Sequence, residues 1–98
     1  MIEPTVKAVH MSLRETTKEF IEEKLKKIDF ADGIVEDLEF TLTKDHGKKF
    51  ECEAKCHFHW GDWAIIKTEG FELHEAINRA VDKLDHKVKK EKDKVQKH

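Results

Sequence analysis

Proline occurs once in this chain, at Pro4, and glycine only four times. With so few breakers, no linker or low-complexity segment is visible, and there are no internal repeats. Long apolar runs are also missing. None approaches the roughly 18 residues that cross a bilayer. Met1 to His10 lacks the apolar stretch of a signal peptide. The expected location is the cytoplasm. There are two cysteines, Cys52 and Cys56, four positions apart. On a strand they would share a face about 13 Å apart, too far for a disulfide. They read as reduced core residues, which suits a reducing compartment.

Charge is what the chain has in abundance: 41% of residues are Asp, Glu, Lys or Arg. Such a composition can mean disorder. Here the apolar residues fall at regular intervals, so one folded domain over residues 1–98 is expected. A chain of this length buries a thin core, about enough for one sheet with helices on one face. The formal net charge is −2, but it is unevenly spread. From residue 83 onward seven lysines face three acidic residues, a local +4, while residues 1–82 carry −6. Local charge decides where a polyanion docks.

The pattern of periodicities gives the order β-α-β-β-β-α. Ile2 to Val9 reads as a short strand, with Pro4 at its start. Ser12 and Glu15 form a capping-box pattern. A helix follows, with Leu13, Thr17, Ile21, Leu25 and Ile28 on one face. It is expected to end near Asp32-Gly33, with Gly33 as a left-handed cap. Leu38 to Thr43 alternates strictly, as a half-buried strand does. A third strand places Phe50, Cys52, Ala54, Cys56 and Phe58 inward, with Glu51, Glu53, Lys55, His57 and His59 outward. A fourth runs from Trp63 to Thr68, and Gly70 ends it. The last helix starts near Glu72 with an apolar stripe of Leu73, Ile77, Ala80, Leu84 and Val88. The stripe breaks at Glu91, so the helix end is expected to project into solvent. Each strand has one apolar face, which predicts an α+β fold: a four-stranded sheet with both helices on one side.

At about 100° per residue, Arg79, Lys83, Lys87, Lys90, Lys94 and Lys97 share an arc of about 80° on the last helix. Lys24 and Lys27 flank the stripe of the first helix. If the helices pack side by side, the two rows would edge a shared cationic groove able to neutralise RNA phosphates. A solvated helix face looks similar, and neighbours such as Asp82 and Glu91 would pair with some of the lysines. Spacing alone leaves both readings open.

Three segments carry a resemblance. Glu69-Gly70-Phe71-Glu72-Leu73-His74-Glu75-Ala76-Ile77-Asn78, followed by Asp82-Lys83-Leu84, resembles the pattern E-G-x-D-M-Y-x-A-I-D…D-K-L. Lys18-Glu19-Phe20-Ile21 through Lys24-Leu25-Lys26-Lys27-Ile28 is similar to R-E-Y-V-x-x-K-L-x-K-L. The ending from Lys90 to His98 resembles a K-H-K-x-K tail. These belong to the ribosome hibernation-promoting factor and ribosome-associated inhibitor A family, and the likeness runs in register over nearly the whole chain.

The resemblance implies a domain similar to a double-stranded RNA-binding domain. It would lie in the small-subunit decoding channel and block messenger and transfer RNA by contact with 16S ribosomal RNA. On matching positions the contacts would be Lys18, Lys24 and Lys27, then Lys83, Lys90, Lys92 and Lys94. Arg79 and Lys87 join them from the arc. His86 stands where the family often has Arg, and an imidazole carries charge only when protonated. His74 replaces a usual Tyr, and Arg14 a usual capping Thr, so Ser12 is expected to cap. The last helix closes the sequence, as in the family's short form. That form implies a second small ribosome-dimerising factor as a further partner, and long members carry another domain that pairs ribosomes. The free protein is expected to be a monomer.

No catalytic residue, metal or cofactor is expected. On a strand Cys56 points away from His57 and His59, which argues against a zinc site or a Cys–His nucleophile at those residues. Trp60 and Trp63 suit base stacking or packing at the sheet's end, with packing preferred. Phe20 and Phe71 read as core or core edge. Glu51 and Glu53 on the open face argue against RNA reading by that face. Two other functions fit the pattern: a protein-interaction module whose Lys-rich helix binds an acidic partner, and a general duplex-RNA-binding domain.

Overall fold

The computed structural model describes residues 3–31 and 33–96. Ile2, Asp32, Lys97 and His98, used in the sequence reading, lie outside the described residues. The elements are β1 (Thr5–Val9), α1 (Glu15–Leu25), a 3-10 segment (Lys26–Ala31), β2 (Val35–Lys44), β3 (Phe50–Phe58), β4 (Trp63–Gly70) and α2 (Leu73–Gln96). The β-α-β-β-β-α order is as expected.

The four strands form one sheet in the order β1-β2-β3-β4. β1 runs parallel to β2, and the other two pairings are antiparallel. A parallel pair cannot be closed by a tight turn, so a crossover is required, and α1 supplies it. The alternation places Phe40, Leu42, Cys52, Ala54, Cys56 and Phe58 in the core, as expected. Ile21 and Leu25 from α1, and Ile77, Ala80, Leu84 and Val88 from α2, complete it. Each large side chain of this set contributes about 1.5–3 kcal/mol by leaving water. The two cysteines are free and buried. The sheet has one covered face and one open face.

Several local expectations are corrected. The residue before the first helical turn is Arg14, in extended conformation, and it makes no side-chain cap; Ser12 does not take that role. α1 gives way to the 3-10 segment after Leu25, and Ile28 there departs from helical angles. Gly33 does not adopt the left-handed conformation. Gly61, in the β3–β4 turn, does, with φ 99°. β2 begins three residues earlier than the alternation suggested, with an irregularity between Val35 and Asp37. Phe71 is not core: it is 69% exposed, with the Lys49 ammonium 5.6 Å from its ring centre. Nor does burial on α2 stop before Glu91. That residue is only 5% exposed, and α2 packs on the 3-10 segment as well as on β3 and β4.

Candidate nucleic-acid interface

α2 carries the candidate site because it is long and its cations recur on one side. Its 24 residues span about 36 Å at 1.5 Å per residue. Its apolar stripe pins one side to the sheet, so the polar positions have fixed directions. On one flank, His74 stacks on Phe20 of α1, with ring centres 3.9 Å apart. Asp82 on the same side binds Lys27. The other flank meets the edge strand β4: the Arg79 guanidinium donates to the Glu69 carbonyl at 2.9 Å. Arg79 and Lys83 line a 420 Å³ cavity there, shared with Glu51, Glu53, Lys67 and Glu69.

The cation row of α2 therefore runs along the β4 side, away from α1. Lys24 and Lys27 sit across the helix crest from it. The two rows do not edge a shared groove; they form two shoulders with α2 between them. A helix that presents its apolar stripe downward, and takes α1 on one side, has only the opposite side left for a lysine row.

The individual groups differ in availability. Lys83 and Lys90 are exposed and make no ion pair among the described residues. They are about 10 Å apart along the helix. Lys87 and Lys94 are held by Glu91, at 3.1 and 3.6 Å. Burial pushes the Glu91 carboxyl upward, but the two ammonium groups outweigh it, and its pKa falls below the usual Glu value. Arg79 pairs with Glu75 at 3.6 Å. Lys24 lies 5.4 Å from the Phe20 ring centre, and Lys18 is half-buried on α1. Lys92 is half-buried and, by its angle, faces the α1 flank rather than the row.

Lys27 is committed to Asp82. The hydrogen bond from Lys27 is the chief reason the Asp82 pKa is lowered, with Lys24 and His86 adding smaller attractions. His86 is exposed near the crest, so it joins the two shoulders. The pairing of Asp82 and Glu91 with some of the lysines was legible in sequence. Which lysines was legible only for Glu91, whose partners lie four residues before and three after it. Lys27 and Asp82 are 55 positions apart, and no local pattern joins them.

The fold and its cationic helix define a small α+β module whose longer basic row is built on α2. The chain belongs to the sigma 54 modulation protein / S30EA ribosomal protein family, whose model matches residues 5–96. This is the group its motifs resemble. Among solved structures, it is similar to the Protein Y N-terminal domain of Thermus thermophilus. Identity is 27% and the TM-score 0.78, over 91% of this chain and 96% of that one. It also shares the fold of a ribosomal subunit interface protein from Coxiella burnetii, with a TM-score of 0.81 at 15% identity and the same coverage. No curated protein sequence matches it.

Proposed function

We propose that the protein is a non-enzymatic ribosome hibernation factor. It binds 16S ribosomal RNA in the decoding channel of the small subunit and excludes messenger and transfer RNA. It acts in the cytoplasm, under stress or in stationary phase, and works beside a second small factor that pairs ribosomes. Family membership supports the ribosome as the target. The observation that carries the RNA contact is the pair Lys83 and Lys90, exposed, without ion pairs among the described residues, and held in fixed spacing on α2. Phosphates can replace water around these ammonium groups without breaking an internal ion pair, so attraction is not spent on displacing a carboxylate. Arg79, Lys18, Lys24 and His86 extend the contact around this pair. Lys27, Lys87, Lys92 and Lys94 contribute at its margins.

The test is cosedimentation with small ribosomal subunits. The wild-type protein is expected to travel with them and to compete with initiator transfer RNA. K83E/K90E is expected to lose binding while keeping its melting temperature, because neither side chain is in the core. Affinity is expected to fall with salt, with a log–log slope approaching about one per phosphate contact. Equal binding to arbitrary duplex RNA would indicate a general RNA-binding domain. Absence of binding at low salt, with capture by an acidic protein instead, would favour the interaction module.

A further inference from the structure

On the far side of the sheet from α2, exposed apolar groups gather on one strand. Trp63 and Ile65 of β4 point outward from the open face and are 56% and 58% exposed. Apolar area of this kind, set side by side on a rigid strand, marks a contact surface more often than an isolated residue does. The indole is also held in place. His57, its cross-strand neighbour, stacks on it with ring centres 4.2 Å apart and planes 8° from parallel. The His57 Nδ1 lies 3.5 Å from a Glu36 carboxylate oxygen and 3.7 Å from one of Asp37. The indole is thus backed by the imidazole while the side chain stays more than half exposed.

The charge around it selects the ligand. A 270 Å³ recess beside the indole is lined by Glu3, Asp37, Glu39, Lys55 and Trp63 among others. Three carboxylates stand there against Lys55, with Lys7 at the edge, 3.5 Å from Glu39, and Glu36 just beyond. A phosphate backbone is repelled by this arrangement, so the face suits a cation. An arginine fits better than a lysine. Its planar guanidinium stacks on an aromatic face while its forked donors reach carboxylates, whereas a lysine offers a point charge.

We infer that the open sheet face around Trp63 docks an arginine-bearing basic peptide, with the guanidinium on the indole and its donors on Asp37 and Glu39. Ile65, on the same face, covers an apolar neighbour in that peptide. The inference does not depend on ribosome binding, which uses the other side of the molecule.

Titration of the whole protein with hexa-arginine at about 0.15 M salt, where weak surface attraction is screened, tests it. The readout is the two indole N–H resonances, assigned with W60F and W63A. A saturable shift of the Trp63 indole is expected, with the Trp60 indole unmoved. W63A and D37N/E39Q are each expected to weaken binding about fivefold or more, and hexa-lysine to bind more weakly than hexa-arginine. K83E/K90E is expected to bind the peptide as wild type does, although it loses the ribosomal subunit. The inference is overturned if no saturable shift occurs, or if neither variant weakens binding. It is equally overturned if an oligouridine, rather than the peptide, moves the Trp63 indole.

Discussion

Glu91 shows how one residue can serve the core and the site in opposite ways. It occupies the line of α2 that is apolar elsewhere, and its carboxylate is held under Lys87 and Lys94. Its folded pKa is depressed, so its stabilising effect is present above the unfolded value and lost as pH falls through the folded one. An ion pair in such a place is often replaceable by an apolar side chain with little loss. E91L is therefore expected to stay within about 1 kcal/mol of wild-type stability at neutral pH. It is also expected to lose less stability on acidification, as measured by urea melts at stepped pH. Because it frees two lysines and removes one negative charge, it should bind small subunits more tightly than wild type. A weaker binder would show that Glu91 orients Lys87 and Lys94 for the RNA. The cysteines make a second residue-scale case. Burial alone pushes both thiols to about 12, and a thiol reacts through its thiolate. Neither is expected to react with an alkylating reagent near pH 8 in the folded protein, and both should react in denaturant. Mass spectrometry after timed quenching distinguishes the two.

The placement of α2 on the sheet governs where the lysine row points. A buried hydrogen bond from the Thr68 hydroxyl to the Ala76 carbonyl, 2.6 Å long, ties the start of α2 to β4. At Gly70 the strand backbone passes so close that a Cβ would lie 3.2 Å from the Ala76 nitrogen, so the junction tolerates no side chain without movement. T68V keeps the shape of the threonine and removes this hydrogen bond, while the Ala76 carbonyl keeps its partner within the helix. It is expected to cost about 1–2 kcal/mol, seen as a lower denaturation midpoint. On the other flank, the exposed ion pair of Lys27 and Asp82 joins the 3-10 segment to α2. The Asp82 pKa is lowered, so this tie also loosens as pH falls through that value.

At the scale of the molecule, the two sides of the sheet have different electrostatic characters. The helical side presents Lys83, Lys90 and His86; the open side presents carboxylates around an aromatic pair. The formal charge of −2 hides this division, because a sum carries no direction. Much of the architecture was legible beforehand. The strict alternation of β3 predicted its inward residues one by one, since a strand's period of two leaves no choice of face. The helical stripe of α2 was equally plain. The end of α1 was not, because the chain tightens into 3-10 turns without a glycine or proline to mark the change. The exposure of Phe71 was hidden for a related reason: it falls between β4 and α2, where neither periodicity applies.

By itself the sequence determined the element order, the core-facing side of each strand and the angular row of cations on the last helix. These follow from local periodicity, which the backbone geometry of helix and strand enforces. Only the tertiary structure decided which side of α2 the first helix occupies, and hence that the two basic rows are separated. The same packing decided that Glu91 is buried, that Asp82 holds Lys27, and that Trp63 meets His57. Such outcomes depend on residues brought together from distant positions, and no local pattern encodes the direction from which a neighbour arrives.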